Sequence, residues 1–533
     1  MMRSAAAALC AVMCLAACAR SLRAQNADDE TADEKGRILL VLPFDNRTGQ
    51  PSLEWIREAA PEILSSRFTS AGFAPMSRAD RMYALDHLGL PESFQPSRAS
   101  ALKLAQTLDA DSIVVGSYIT DGGDMVAEAR VVDVPHLKMS APVTARGPMR
   151  SMIDIFDSLA WKLTKAMDPG FSGSEETFIA AGKDLRLGAF EQYIRGITEP
   201  DQGERIQHLQ AAVKLSPNFA PAWLALGRED YAGQNYAQAA DAFAKVGRND
   251  ASALEAGFYR GLSLLFSGQY PQAEAAFAGV ARILPLAEVL NNEGVAQSRQ
   301  RHDGTELFRK AIAADPKVAD YHFNLAVSLN RRGLKAEALT ELQQSLKLRP
   351  NDSEAQDLLD EWKSPPAATT ATADEEHADP LERIVRTFDA RAFRQAAMMM
   401  DKMEEARLAE LPAGERAEKL SAQAHEYLDR GLILEAERLY QQAVKDDNSL
   451  AAAHAGLAEV RERAGDAASA RKEAEAALAL SKSAEAYLVL GRIDLAAGNL
   501  DEASRSVAEA LQLDPRSREA QDLKRQIDAK AGK

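Results

Sequence analysis

The eight histidines of this 533-residue chain, at positions 87, 136, 208, 302, 322, 377, 425 and 454, are the side chains best suited to proton transfer or metal binding. No two stand four apart with a glutamate between them, so the zinc-hydrolase arrangement of paired imidazoles on one helical face is absent. The three cysteines are Cys10, Cys14 and Cys18, which leaves no thiol pair for structural zinc in the rest of the chain. Asp121-Gly122-Gly123-Asp124 has the residue types of a metal or phosphate loop, but two glycines between apolar runs read first as a hairpin turn. Glu375-Glu376 and Glu404-Glu405 are carboxylate pairs of the sort that chance supplies among 79 acidic residues, and they read as solvated faces. Neither G-x-x-x-x-G-K-[ST] nor G-x-G-x-x-G follows a strand-like run, and no Ser-His-Asp signature stands out. The expectation is a protein that is not an enzyme, with no cofactor, no metal and no small-molecule substrate.

Composition narrows the remaining classes. With 63 basic and 79 acidic residues the formal net charge is −16, which argues against binding a phosphate backbone and so against nucleic acid. The length exceeds one ordinary core, so several domains or a repeat array are expected. An alanine-rich chain with only 6% aromatic residues suits stacked helices with small interface side chains.

The first residues read as an address. Arg3 followed by a short apolar run to Ala17 is a secretory signal peptide over residues 1–24, too short to be a comfortable membrane span. Leu15-Ala16-Ala17-Cys18 is similar to the lipobox of bacterial lipoproteins, which implies a diacylated Cys18 as a membrane anchor and an outer-membrane or periplasmic location. Leu22-Arg23-Ala24 offers ordinary signal peptidase a second cut, which would release a secreted soluble form. Residues 25–36 are acidic and polar, and read as a tether.

Residues 37–169 have the texture of a small α/β domain. The apolar run Arg37 to Phe44 suits a strand buried on both faces, and further strands are expected near Phe73–Met76, Ser112–Ile119, Met125–Val134 and Lys138–Val143. Helices are expected over Leu53–Phe68, Arg81–Leu88, Ala99–Leu108 and Met149–Met167. Leu42-Pro43-Phe44-Asp45-Asn46, together with Asp109-Ala110-Asp111 leading into Val114-Val115-Gly116-Ser117-Tyr118, resembles the α/β domain shared by TolB-type periplasmic proteins, FlgO-like flagellar lipoproteins and curli-secretion (CsgG-like) lipoproteins. That resemblance implies a cell-envelope setting and assembly work, with no catalytic residues to carry over.

Beyond a polar linker at 170–185, the sequence repeats itself. Trp223 and Leu226 open a unit with Gly227, Ala239 and Phe243, and thirty-four residues on from the last three lie Gly261, Ala273 and Phe277; Pro316 and Pro350 mark a further period. This register resembles the tetratricopeptide repeat, in which glycine and alanine let paired helices approach and the closing proline separates units. About five units and a cap helix fill residues 186–363. Residues 364–380, with three prolines, alternating Ala and Thr and an acidic run, read as a disordered linker. Residues 381–416 read as a helical segment with Phe388, Phe393 and the cluster Met398, Met399, Met400 and Met403, a helix core more readily than a binding surface. Three more units and a cap helix follow over 417–533. The expected fold class is α+β multidomain: a small α/β amino-terminal domain, then an all-α tetratricopeptide solenoid in two blocks.

The resemblance implies a concave groove lined by the first helix of each pair, suited to an extended or helical protein segment. At the repeat offsets that face such a groove stand Arg228, Tyr231, Phe258, Asn291, Arg299, Phe323 and Arg331, and Arg492 in the second block. Helical spacing would equally serve the aromatic members as core. The carboxylate clamp that holds chaperone tails is not matched, since Leu224 and Arg228 occupy its offsets. The expected role is a non-enzymatic scaffold that holds a protein or peptide partner in the bacterial cell envelope. An alternative has the α/β domain sense a small ligand that the repeats relay to a partner. An uncharacterised enzyme is the third reading.

Overall fold

The computed structural model describes residues 38–91, 97–248, 250, 252–364, 380–388 and 403–532. The signal peptide, Cys18, the tether, residues 365–379, Phe393 and Met398–Met400 lie outside them. The chain divides into two compact units, Met1–Leu187 with Leu411–Lys533, and Gly188–Glu410.

The first unit opens with a mixed sheet of β1 (Ile38–Val41), β2 (Asp45–Asn46), β3 (Ala74–Pro75), β4 (Ser112–Asp121), β5 (Asp124–Asp133), β6 (Lys138–Met139) and β7 (Val143–Pro148). The strand order is β3-β1-β4-β5-β6, with β2 also pairing β4 and β7 also pairing β5. Strands β3, β1 and β4 run parallel, whereas β5 is antiparallel to β4, β6 and β7. Four helices accompany it: α1 (Ile56–Ser70), α2 (Arg78–His87), α3 (Arg98–Thr107) and α4 (Met152–Met167). The apolar run of β1 is explained by burial on both sides, because successive strand residues face opposite ways. Leu40 and Leu42 pack with Ala84 and Leu85 of α2 and with Ala101 and Leu104 of α3. Leu39 and Val41 are equally buried on the other face. There α1 and α4 meet through a buried ion pair, Arg67 Nε donating to Asp157 Oδ1 at 2.8 Å. Burial pushes the Asp157 carboxyl up to about 7, against the pull of Arg67. The Asp121–Asp124 turn is a hairpin: Gly122 and Gly123 have φ of 60° and 92°, and Arg146 bridges the two aspartates at 2.8 and 2.9 Å.

The repeats are helical pairs. In the second unit they are α6 (Leu187–Thr198) with α7 (Gln202–Leu215), α8 (Ala220–Ala232) with α9 (Tyr236–Phe243), and α10 (Ala253–Phe266) with α11 (Tyr270–Ala281). Then come α12 (Ala287–Arg299) with α13 (Thr305–Ala314), α14 (Ala319–Arg331) with α15 (Lys335–Leu348), and the cap α16 (Ser353–Lys363). The motif residues make the close approach: a Cβ on Gly227 would lie 2.7 Å from the Phe243 ring, and Gly261 stands in the same relation to Phe277. The first unit carries α17 (Ala413–Asp429) with α18 (Ile433–Asp446), α19 (Ala451–Ala464) with α20 (Ala467–Leu480), α21 (Ala484–Ala497) with α22 (Leu500–Leu513), and the cap α23 (Arg518–Lys530).

The polar stretch 170–185, expected as a linker, is instead a docked element. After the α4 end, α5 (Glu175–Ala180) is a short helix capped by Ser174, whose hydroxyl accepts from the Thr177 N–H at 3.2 Å. Trp161 of α4 donates its Nε1–H to the Gly173 carbonyl at 2.8 Å, and the buried Phe178 meets Phe171 edge-on at 5.8 Å. On the repeat side the Ser174 N–H donates to Glu437 of α18 at 3.4 Å, and Arg461 of α19 pairs with Glu437 at 2.8 Å. Two aromatic anchors outweigh the polarity of the intervening residues, which is why composition alone misjudged the stretch.

Glu437 gives this joint a pH dependence. Burial pushes its carboxyl up to about 7, although Arg461, Thr177 and Ser174 pull it down. The folded form therefore holds the proton more tightly than the unfolded chain, so the stability that Glu437 contributes is greatest below pH 4.5 and is lost as pH rises through 7. Glu437→Gln should flatten the fall in unfolding midpoint between pH 5 and pH 8 relative to the wild type; parallel curves would remove the assignment.

Candidate functional site

The candidate site is the expected groove of the first block, and the chain's own residues 380–388 occupy it. Residues 380–388, which include the first eight residues of the 381–416 stretch expected as helical, form no regular structure and lie across α14, α12 and α10. The physical reason is a competition for backbone hydrogen bonds. Asn324 of α14 donates its Nδ2–H to the Arg383 carbonyl at 2.8 Å, and its Oδ1 accepts from the Arg383 N–H at 2.6 Å. Asn292 of α12 treats Val385 in the same way, at 2.8 and 3.0 Å. In an extended chain the N–H and C=O of residues i and i+2 point to one edge, so two fixed amides two residues apart select that conformation. Asn291 ties the pair together, accepting from Asn324 at 2.8 Å and donating to the Arg383 carbonyl at 3.2 Å. All three asparagines are fully buried, and each finds its partners.

Side chains add sequence information to this backbone recognition. Glu382, only 3% exposed, is held by Arg331 and lies 3.7 Å from Arg299, which also donates to the Glu382 carbonyl at 3.1 Å. Arg331 further donates to the Pro380 carbonyl at 2.8 Å. Arg383 stacks its guanidinium 3.7 Å above the Phe323 ring. It reaches Asp320 at 3.1 Å, and Asp352 and Glu354 at 2.8 Å each. Hydrogen bonding from Arg383 holds the Asp352 carboxyl below its ordinary value. Burial works against the charged Arg383, but Asp352, Glu354 and Asp320 together hold its proton more firmly than usual. Farther along, Arg386 lies 4.9 Å over Phe266, and Phe388 meets Phe258 and Tyr259 with ring centres 5.4 and 6.5 Å apart.

Of the residues singled out from sequence, the structure brings Phe258, Asn291, Arg299, Phe323 and Arg331 onto this one segment. Tyr231 belongs to the aromatic floor beside it, with ring centres 5.7, 5.5 and 6.3 Å from Tyr236, Tyr259 and Phe266. Arg228 is engaged elsewhere, pairing with Glu255 of the next repeat. Arg492 likewise ties successive repeats of the second block, lying 3.1 Å from Glu462 and pairing with Glu519. Sequence reasoning passed over Asn292, Asn324, Asp320 and Asp352. A signal was present: Asn292 and Asn324 stand two residues before Gly294 and Ala326, at one repeat offset where packing would favour an apolar side chain. Among the described residues no three His, Cys, Asp or Glu side chains cluster as metal ligands would.

The tetratricopeptide repeat family model matches residues 296–353 and 421–486, one stretch in each block. No curated protein matches the chain. Among solved structures, YrrB, described as a TPR protein with an unusual peptide-binding site, is 17% identical over 37% of this chain and 96% of its own, with a TM-score of 0.29. The first TPR of Spaghetti (RPAP3), bound to the HSP90 peptide SRMEEVD, is 24% identical over 22% of this chain and 96% of its own, at 0.21. The LpoB C-terminal domain from Salmonella enterica is 18% identical over 22% of this chain and 84% of its own, at 0.19. The two family-model matches show tetratricopeptide repeats in both blocks.

Proposed function

We propose that this protein is a non-enzymatic scaffold whose first repeat block holds an extended polypeptide segment, in the setting of the bacterial cell envelope. The observation that carries the reading is the double amide grip of Asn292 and Asn324 on the backbone of residues 383 and 385. A groove that already seats one extended segment by its main chain has the chemistry to seat another, because backbone recognition does not depend on which protein supplies the peptide. Export rests on the sequence of residues 1–24, and anchoring on acylation of Cys18. The intact mass of the mature protein tests the latter: a diacylated amino-terminal cysteine supports it, and a chain beginning at Gln25 refutes it.

The binding reading is tested on the full chain with its own segment disabled by Glu382→Lys and Arg383→Glu. A fluorescein-labelled peptide, Pro-Leu-Glu-Arg-Ile-Val-Arg-Thr-Phe, should bind this variant with a Kd in the micromolar range, on the order of 8 kcal/mol of binding free energy. Adding Asn292→Ala and Asn324→Ala should abolish that binding. No measurable binding to the disabled variant would end the reading.

A further inference from the structure

We propose that residues 380–388 are a displaceable occupant of the first block's groove, and that their displacer is an extended segment carrying a Glu-Arg pair and a phenylalanine five residues after the arginine. The inference rests on the peptide-binding reading above and adds to it both the partner's chemistry and the gate.

The groove specifies that pattern along its length. Arg299 and Arg331 form a cationic seat around a single carboxylate. Next to it, Asp320, Asp352 and Glu354 surround one guanidinium, whose flat face rests on Phe323. Reversing the order of the two charges would place like beside like at both seats, a penalty that selects the sequence Glu-Arg over Arg-Glu. The Asn292 and Asn324 grips fix the phase of the chain, so that the residue five beyond the arginine falls on Phe258 and Tyr259.

The same contacts make the occupant removable. Residues 380–388 form no helix and join no sheet, and Leu381, Arg386 and Thr387 are exposed. Releasing them breaks no helix of the block, because the grips of Asn292 and Asn324 and the pairs with Arg331 and Asp352 come from side chains of helices or their caps. Being covalently attached, the segment competes at an effective concentration on the order of 1 mM, so an outside segment making the same contacts binds the wild type far more weakly than an emptied groove.

The nonapeptide probe measures this directly by fluorescence anisotropy on the full chain. The Glu382→Lys, Arg383→Glu variant should bind about 1000-fold more tightly than the wild type, the ratio of an effective concentration near 1 mM to a micromolar Kd. The variant Arg383→Ala, Phe388→Ala, which also leaves the repeat helices untouched, should show the same gain. A probe with its glutamate and arginine exchanged should bind the opened variants at least about 10-fold more weakly than the native order. Equal affinity of wild type and both variants would overturn the gate while leaving the groove reading intact. Binding to none of them would overturn both. Equal affinity for the two probe orders would overturn the assigned partner chemistry. If sedimentation finds a wild-type dimer that the charge exchange abolishes, a second copy of this chain is the occupant and the proposal fails.

Discussion

Replacing both Asn292 and Asn324 with alanine should accelerate hydrogen exchange at the Arg383 and Val385 amides by about 1000-fold. Four hydrogen bonds between these side chains and the segment backbone are lost. At about 1 kcal/mol net for each, the sum is about 4 kcal/mol in favour of the released segment. Exchange mass spectrometry that follows residues 380–388 against the helices α12 and α14 separates this local opening from general unfolding. The helices should keep their protection while the segment loses it. Protection that persists in the double variant would mean that the ion pairs of Glu382 and Arg383 suffice, and that the amide grip is incidental. The single substitutions should each show part of the effect, with less than simple additivity because Asn291 couples the two sites.

Gly116→Ala should destabilise the first unit by about 3 kcal/mol, the upper part of the range for forcing an extra methyl into a packed interior. A Cβ at Gly116 would fall 2.2 Å from the ring of Phe44, far inside contact distance. Phe44 cannot give way freely, since it is fully buried and meets Phe156 of α4 edge-on at 5.7 Å. The midpoint of chemical unfolding, followed by the near-ultraviolet signal of the α/β domain, measures the loss. Shrinking the ring with Phe44→Leu in the same chain should restore at least half of it. If the alanine variant unfolds with the wild type, the glycine is not there to admit the ring.

Much of the architecture is written in local patterns. The run from Ile38 to Phe44 could be read as a doubly buried strand because nothing polar interrupts it, and the Asp-Gly-Gly-Asp turn because glycine tolerates positive φ. The repeats were legible because Gly227 and Gly261 have to admit Phe243 and Phe277, a constraint that recurs where Gly294 admits Phe308. The residues lining the groove could be picked out by offset for the same reason, although Arg228 and Arg492 turn out to join repeats rather than face a ligand.

What composition could not convey is where an irregular stretch goes. Residues 174–180 look like a linker until Phe178, Trp161 and Glu437 come together, and 381–388 look like a helix until Asn292 and Asn324 claim their backbone. The groove expected to be open for another polypeptide is filled by the chain's own. The sequence by itself determined the helical pairs, their period and the side chains that face inward, since these follow from spacing along one helix. Only the tertiary structure decided the occupant, because the choice between a segment's internal hydrogen bonds and those of amides some sixty to ninety residues away is made across space.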